Sequence, residues 1–360
     1  MPVYKDDKRG TWYCCFYHTD WQGARQKKLK RGFSKQREAK EWERNFLDKL
    51  QGNPNMKFGS LVSLYIEDKK NRLRQSTLLN KEYLIDSKVL PYFKEMTIDS
   101  IKPSAIRQWQ NALISMGYSD TYLKTINNQL CAIFNYAVQY YGLRENPCHK
   151  AGSMGKKSAG EMMFWTREEY LKFEDALRDN PRAHLMFQIL YWCGIREGEL
   201  FALTIGDFDL EGKTLSINKS LQRLKGEDVI TEPKTPKSKR IVALPDFLIA
   251  EIAAYLPMLY SPQNDTRLFV ISKHGISSEM IRGCKASGVK RIRIHDLRHS
   301  HASLLIELGY SPLLIAERLG HENIETTLNT YSHLFPHKQL ELARELDKLG
   351  QTASYQHHEE

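Results

Sequence analysis

The stretch Ala151-Gly152-Ser153-Met154-Gly155-Lys156-Lys157-Ser158-Ala159-Gly160 is small, polar and basic from end to end. Its composition is that of a linker. A chain of 360 residues exceeds one ordinary core, and this stretch is where it divides. Hydrophobic residues make up 41% of the chain, enough for folded domains on both sides, and the net charge of +10 points to a polyanionic partner. No run of eighteen or more apolar residues appears, and the first residues lack the apolar core of a signal peptide. The six cysteines have no paired spacing, which suggests reduced thiols. These features predict a cytoplasmic nucleic-acid binder with no membrane association.

Ahead of the linker the periodicity changes once. Gly10 to His18 is rich in aromatics and reads as a strand, Trp21-Gln22-Gly23 as a turn, and Gln26 to Phe33 as a second strand. Ser34 has the character of an N-cap for a helix running toward Leu50, with Glu38 and Glu41 early in it. Arg25, Lys27, Lys28, Lys30, Arg31, Lys35 and Arg37 follow one another with no acidic residue between them. A small sheet carrying such a strand fits a DNA major groove; the plain alternative is an edge strand that uses lysine against aggregation. Asn53-Pro54-Asn55 reads as a hinge. Beyond it, Phe58, Leu61, Leu64 and Tyr65 recur at helical spacing, and a second periodic run spans Ser76 to Phe93. Pro103 begins a third helix that Gly117 ends, and Ser119 caps a long fourth one. Scaffold, partner-binding bundle and DNA clamp all fit this unit. Lys69, Lys70, Arg72 and Arg74 suit either phosphate or the dipole at a helix end.

Past the linker the pattern is helical from Thr166 to Cys193, where Gly194 breaks it. Arg196 and Glu199, three apart, share a face of the next helix; a surface ion pair and a carboxylate-held phosphate fork both fit them. Leu215 to Ile217, a polar loop, and Thr231 to Pro245 read as a hairpin with a basic turn, within which spacing alone does not single out Lys234. In His295-Asp296-Leu297-Arg298-His299-Ser300-His301, positions 295, 298 and 299 lie on one helical face. The histidine pair also raises a zinc-peptidase pattern, but Asp296 stands where that motif needs its glutamate base and Arg298 would place a cation beside the metal. His299 and His301 read as core or supporting residues. Ser311-Pro312 starts a short helix ended by Gly320, His321 lies in the turn, and Asn323 caps the helix that leads to Tyr331.

Taken in order, Arg196 with Glu199, Lys234, His295-x-x-Arg298, Gly320-His321 and Tyr331 resemble the catalytic signature of the tyrosine recombinases, in particular the lambda-type integrases of phages and conjugative elements. The resemblance implies a multidomain, mainly α chain with small β parts. Its parts are a three-stranded sheet plus helix binding arm-type DNA (1–52), a four-helix core-site-binding domain (57–150), a linker (151–163), an α+β catalytic domain (164–350) and a frayed tail (351–360). It also implies Tyr331 as nucleophile, Arg196 and Arg298 as phosphate clamp, and His321 as hydrogen-bond donor. Lys234 would be the acid for the leaving oxygen, His295 the proton partner and Glu199 a support, with no metal or cofactor. Arg25, Lys27, Lys28, Lys30 and Arg31 are the expected DNA contacts of the sheet. Expected partners are double-stranded attachment sites, accessory bending or directionality proteins, and further copies of the chain. Those copies would form a tetramer joined through the amphipathic run His333 to Gly350. The expected setting is a bacterial host's nucleoid. A catalytically inactive DNA-binding regulator and a metal-dependent nuclease are the rival readings.

Overall fold

The computed structural model describes residues 3–7, 9–19, 25–51, 55–157, 162–233, 235–331 and 346. The Trp21-Gln22-Gly23 turn, the Asn53-Pro54 hinge, part of the linker, Lys234 and the run from His333, Leu346 apart, lie outside the described residues. Two compact units divide the chain at Gly160/Glu161. Among the described residues no helix is long and apolar enough to cross a membrane.

In the first unit, β1 (Val3–Asp6), β2 (Thr11–Thr19) and β3 (Arg25–Phe33) form an antiparallel sheet in that order. The sheet packs on α1 (Gln36–Gln51), because alternation along β2 turns Cys14 and Phe16 inward. The Phe16 ring meets Trp42 and Phe46 of α1 at 6.2 and 5.4 Å. Ser34 starts this helix through its backbone, its N–H donating to Glu38 Oε2 at 3.1 Å. The remaining helices are α2 (Phe58–Lys70), α3 (Gln75–Leu84), α4 (Leu90–Phe93), α5 (Pro103–Ser115), α6 (Asp120–Tyr140) and the short α7 (Pro147–Ala151). The periodic run to Phe93 is continuous, but a π-helical turn at Ile85–Val89 joins α3 to α4. That turn widens the helix just before Pro91, which has no N–H to donate. The Trp109 indole donates to Lys88 O within it, at 2.9 Å. Phe58, Phe93, Trp109 and Phe134 fill the core. Ser119 stands at the α6 N-cap, yet its backbone rather than its hydroxyl closes the first turn, through Leu123 N to Ser119 O at 2.9 Å.

The second unit corrects two expectations. Thr166 to Cys193 is two helices, α8 (Arg167–Asp175) and α9 (Pro181–Cys193). Asn180 accepts from Ala183 N at 3.2 Å and Pro181 follows it, the pairing that begins a helix. After α10 (Glu197–Ala202), β4 (Phe208–Asp209), β5 (Thr214–Ile217) and β8 (Arg240–Ala243) make one antiparallel sheet, while β6 (Ser220–Leu224) and β7 (Glu227–Thr231) make another. The supposed polar loop is therefore itself a hairpin. Its turn, Lys225-Gly226, has φ of 51° and 91°, as a two-residue turn matched to strand twist requires. The basic segment before β8 does not turn back on β7: β8 pairs instead with β5, Ser216 opposite Ile241. The chain continues through α11 (Asp246–Tyr255), α12 (Lys273–Ser287), α13 (Asp296–Glu307), α14 (Pro312–Leu319) and α15 (Ile324–Tyr331). At its core Tyr170 and Tyr191 stack at 3.5 Å, with Phe173 and Phe187 beside them.

Candidate active site

Helix ends build this site. An α-helix leaves its last carbonyls without intrahelical donors, and its C-terminus carries partial negative charge, so cations collect there. Helix α14 ends in a Schellman motif: Gly320 has φ 68°, its N–H reaches Glu317 O, and the His321 N–H reaches Ala316 O, both at 2.9 Å. Three successive carbonyls then each meet an arginine. Arg240 Nε donates to Arg318 O at 2.8 Å, Arg298 Nη2 to Leu319 O at 2.6 Å, and Arg196 Nη2 to Gly320 O at 3.4 Å. The end of α9 adds a further bond of the same kind, Arg298 Nη1 to Gly194 O at 2.8 Å, with Gly194 also left-handed at φ 63°.

Glu199 ties two of these arginines together. Its carboxylate accepts from Arg196 Nη1 at 2.7 Å and from the Arg196 N–H at 2.9 Å, and Arg240 Nη2 reaches it at 2.9 Å. The group is 3% exposed, and although burial alone would raise its pKa, Arg240 and Arg196 hold it below the usual carboxylate value. Arg240 is a residue that sequence reasoning missed. It ends a run of exposed lysines, and only the pairing of β8 with β5 turns it inward. Burial, then Arg196 and Arg240, pull Arg298 down to about 9, so it remains cationic at neutral pH. Three guanidiniums thus face one carboxylate, an excess of positive charge suited to an incoming anion.

Tyr331 closes the site. It is 1% exposed and packs among Ala302, Ile306, Ile315 and Leu319. Burial pushes its phenol up to about 12, with Arg298 opposing. Its hydroxyl lies 2.7 Å from His299 Nδ1. His295, expected as proton partner of the Tyr or the phosphate, lies beside His299, ring perpendicular to ring at 5.2 Å. His299 is held down at about 4, chiefly by burial and then by His295. His321 Nδ1 is 2.8 Å from the hydroxyl of buried Thr327, and burial followed by the arginines lowers the ring to about 3. His301 is a core residue, accepting at Nε2 from Arg318 Nε at 3.1 Å. The structure therefore brings Arg196, Glu199, His295, Arg298, His321 and Tyr331 into one region and adds Arg240, His299 and Thr327.

The basic strand β3 divides its charges. Lys28 and Lys30 stand opposite Phe16 and Cys14, on the α1 side, and Lys28 Nζ lies over the Phe46 ring at 5.2 Å. Arg25 and Arg31 lie over Tyr17 and Tyr13 at 4.5 and 5.7 Å, and Lys27 lies 6.0 Å from the Tyr17 centroid. They present a basic, aromatic surface on the open face.

A buried phenol thus stands near guanidiniums fixed to main chain, a concentration of positive charge suited to a phosphate group. Three family models match the chain: the phage integrase family over residues 164–338, an integrase N-terminal SAM-like domain over 57–114, and an arm DNA-binding domain over 2–50. The ICEBs1 integrase of Bacillus subtilis is 31% identical over 319 residues, covering 84% of this chain and 86% of that one. The chain belongs to the phage integrase family and is a tyrosine-type site-specific recombinase of mobile genetic elements. The transposase of Tn916 from Enterococcus faecalis is 26% identical over 304 residues, 76% of this chain and 74% of that one. In fold, the chain is similar to the Tn1549 transposon integrase solved with transposon right-end DNA, with TM-score 0.66, 21% identity, and coverage of 82% of this chain and 100% of that one. It is also similar to a lambda integrase tetramer solved on a Holliday junction, with TM-score 0.57, 20% identity and coverage of 89% and 95%.

Proposed function

We propose that Tyr331 cleaves DNA by attacking the scissile phosphate, forming a 3′-phosphotyrosyl bond and releasing a 5′-hydroxyl. The observation that carries this reading is the buried Tyr331 hydroxyl at the edge of an arginine cluster anchored on the end of α14. As phosphorus is attacked, negative charge gathers on its non-bridging oxygens, and Arg196 and Arg298 neutralise it without reorganising. With its carboxylate on Arg196 and Arg240, Glu199 supports that clamp. His321 hands its Nε2–H to a phosphate oxygen when the Thr327 hydroxyl donates to Nδ1, and Lys234, by family resemblance, protonates the leaving 5′-oxygen. The phosphotyrosyl bond conserves the ester, so the 5′-hydroxyl of a second strand can displace Tyr331 and reseal the DNA without a metal or ATP.

The same reading assigns residues 1–52 to arm-type sites, through Arg25, Lys27 and Arg31 on the open face of the sheet with Lys28 and Lys30 on its α1 side, and residues 57–150 to core sites. The partners are the double-stranded attachment sites of the element in a bacterial nucleoid, DNA-bending or directionality proteins, and three further copies of the chain. The run from His333 to Gly350 docks on a neighbouring copy. Lambda integrase, solved as a tetramer on a Holliday junction, supplies the precedent for that assembly.

Tyr331→Phe tests the core of the reading. With a nicked suicide attachment site, the wild-type chain accumulates covalent adduct, whereas the variant yields none and binds DNA as before. A normal adduct from Tyr331→Phe would remove Tyr331 from the chemistry.

A further inference from the structure

We propose that His299 is the catalytic base of strand cleavage, its Nδ1 taking the Tyr331 proton as the phenol oxygen attacks phosphorus, with His295 a positioning residue stacked behind it. The proposal rests on the reading of Tyr331 as nucleophile. Geometry singles out His299. Its Nδ1 stands 2.7 Å from the hydroxyl, within the reach proton transfer requires. Tyr331 is 1% exposed, so solvent is a poor proton acceptor for it. Arg196, Arg240 and Arg298 carry donors and no acceptor. Nδ1 of His321 is engaged by Thr327 at 2.8 Å. The four-residue spacing on α13 sets the His295 ring perpendicular to His299 at 5.2 Å, which fixes the His299 plane.

The electrostatics agree with this assignment. Burial keeps His299 neutral at physiological pH, at about 4, so a lone pair is available on Nδ1 when Nε2 carries the proton. The phenol, at about 12, does not give up its proton in the resting site. Transfer therefore accompanies bond formation, when the attacking oxygen becomes acidic. The proton passes from Tyr331 to Nδ1, the phenol oxygen pair forms the bond to phosphorus, the bond from phosphorus to the 5′-oxygen breaks, and that oxygen takes a proton from the acid assigned to Lys234. On resealing, the protonated His299 returns its proton to the departing phenolate.

The test is single-turnover cleavage of the suicide site by the full chain carrying His299→Asn. The asparagine amide occupies the place of Nδ1 and can hold the hydroxyl, but it cannot accept a proton. A base at this position predicts a loss of roughly 10²- to 10⁴-fold in cleavage rate with DNA affinity unchanged. A fluorinated tyrosine at position 331, more acidic than tyrosine, is expected to restore much of that loss and to change the wild-type rate far less. Cleavage by His299→Asn at the wild-type rate overturns the proposal, as does a loss that the acidic phenol does not relieve, since that marks a purely positioning role. Should the variant fail to fold, the wild-type rate in D₂O on a site with a bridging 5′-sulfur decides, because a thiolate leaves without an acid: slowing supports proton transfer from Tyr331 in the transition state, and an unchanged rate overturns it. Mapping the adduct peptide tests the Tyr331 reading separately, because the adduct stays on Tyr331 whether or not His299 is the base.

Discussion

Glu199 is the residue on which most of the site's charge balance turns. It is buried against Arg196 and Arg240, and removing one partner of such a pair leaves the others without compensation. Glu199→Gln is therefore expected to destabilise the chain by about 3 kcal/mol at neutral pH, measured by denaturant unfolding. Because the folded state holds this carboxyl below its unfolded value, the stabilisation is complete above the ordinary glutamate pKa and is lost as pH falls through the depressed one. The difference between wild type and variant should accordingly shrink in acid. The pair itself is legible from its spacing in the sequence. Arg240 is not, because in Lys237-Ser238-Lys239-Arg240 one basic residue looks like the next, and strand pairing alone decides which is buried. His299 is hidden for a related reason: helical spacing places 295, 298 and 299 together without saying which of them meets a tyrosine thirty-two residues on.

At the scale of elements, the left-handed glycines that end α9 and α14 hold the site together. A Cβ on Gly320 would lie 2.9 Å from Lys237 O and 3.0 Å from Arg240 Cδ, in a conformation that L side chains rarely adopt. Gly320→Ala is expected to cost more than about 1 kcal/mol from backbone conformation alone and to shift both His321 and the carbonyls that hold the arginines. Thermal unfolding should register the first effect and suicide-substrate cleavage the second; an unchanged cleavage rate would mean the α14 terminus does not set the clamp. The helix stops at Gly194 and Gly320 can be read from the chain, as can the start at Ser311-Pro312. The break at Asn180-Pro181 carries the same kind of signal, masked by apolar residues that continue on both sides of it. The β6–β7 hairpin is obscured because its strands bury only Leu221 and are mostly polar, leaving Lys225-Gly226 as the main local cue.

For the whole molecule, the positive balance of +10 is a statement about salt as much as about partners. Each cation withdrawn from a DNA phosphate should lower the slope of log affinity against log salt concentration by about 0.9. Replacing Arg25, Lys27 and Arg31 together by Ala is expected to reduce the slope for arm-type DNA by nearly three such increments, and to leave Tyr331 adduct formation on a core site unchanged. Titration at several salt concentrations checks the first outcome, and an unaltered slope would assign the open face of the sheet to something other than DNA. On the proposed function, chemistry and address are borne by different parts of the chain, and the end of α14 gives the chemistry its independence. Carbonyls of residues 318, 319 and 320 belong to the main chain of a helix end shaped by Gly320, and they do not depend on which side chains the DNA-facing surface carries. An element that drifts toward a new insertion site, or a laboratory that selects for one, can rewrite the DNA-facing surface while the carbonyl seats that hold Arg196, Arg240 and Arg298 remain the same.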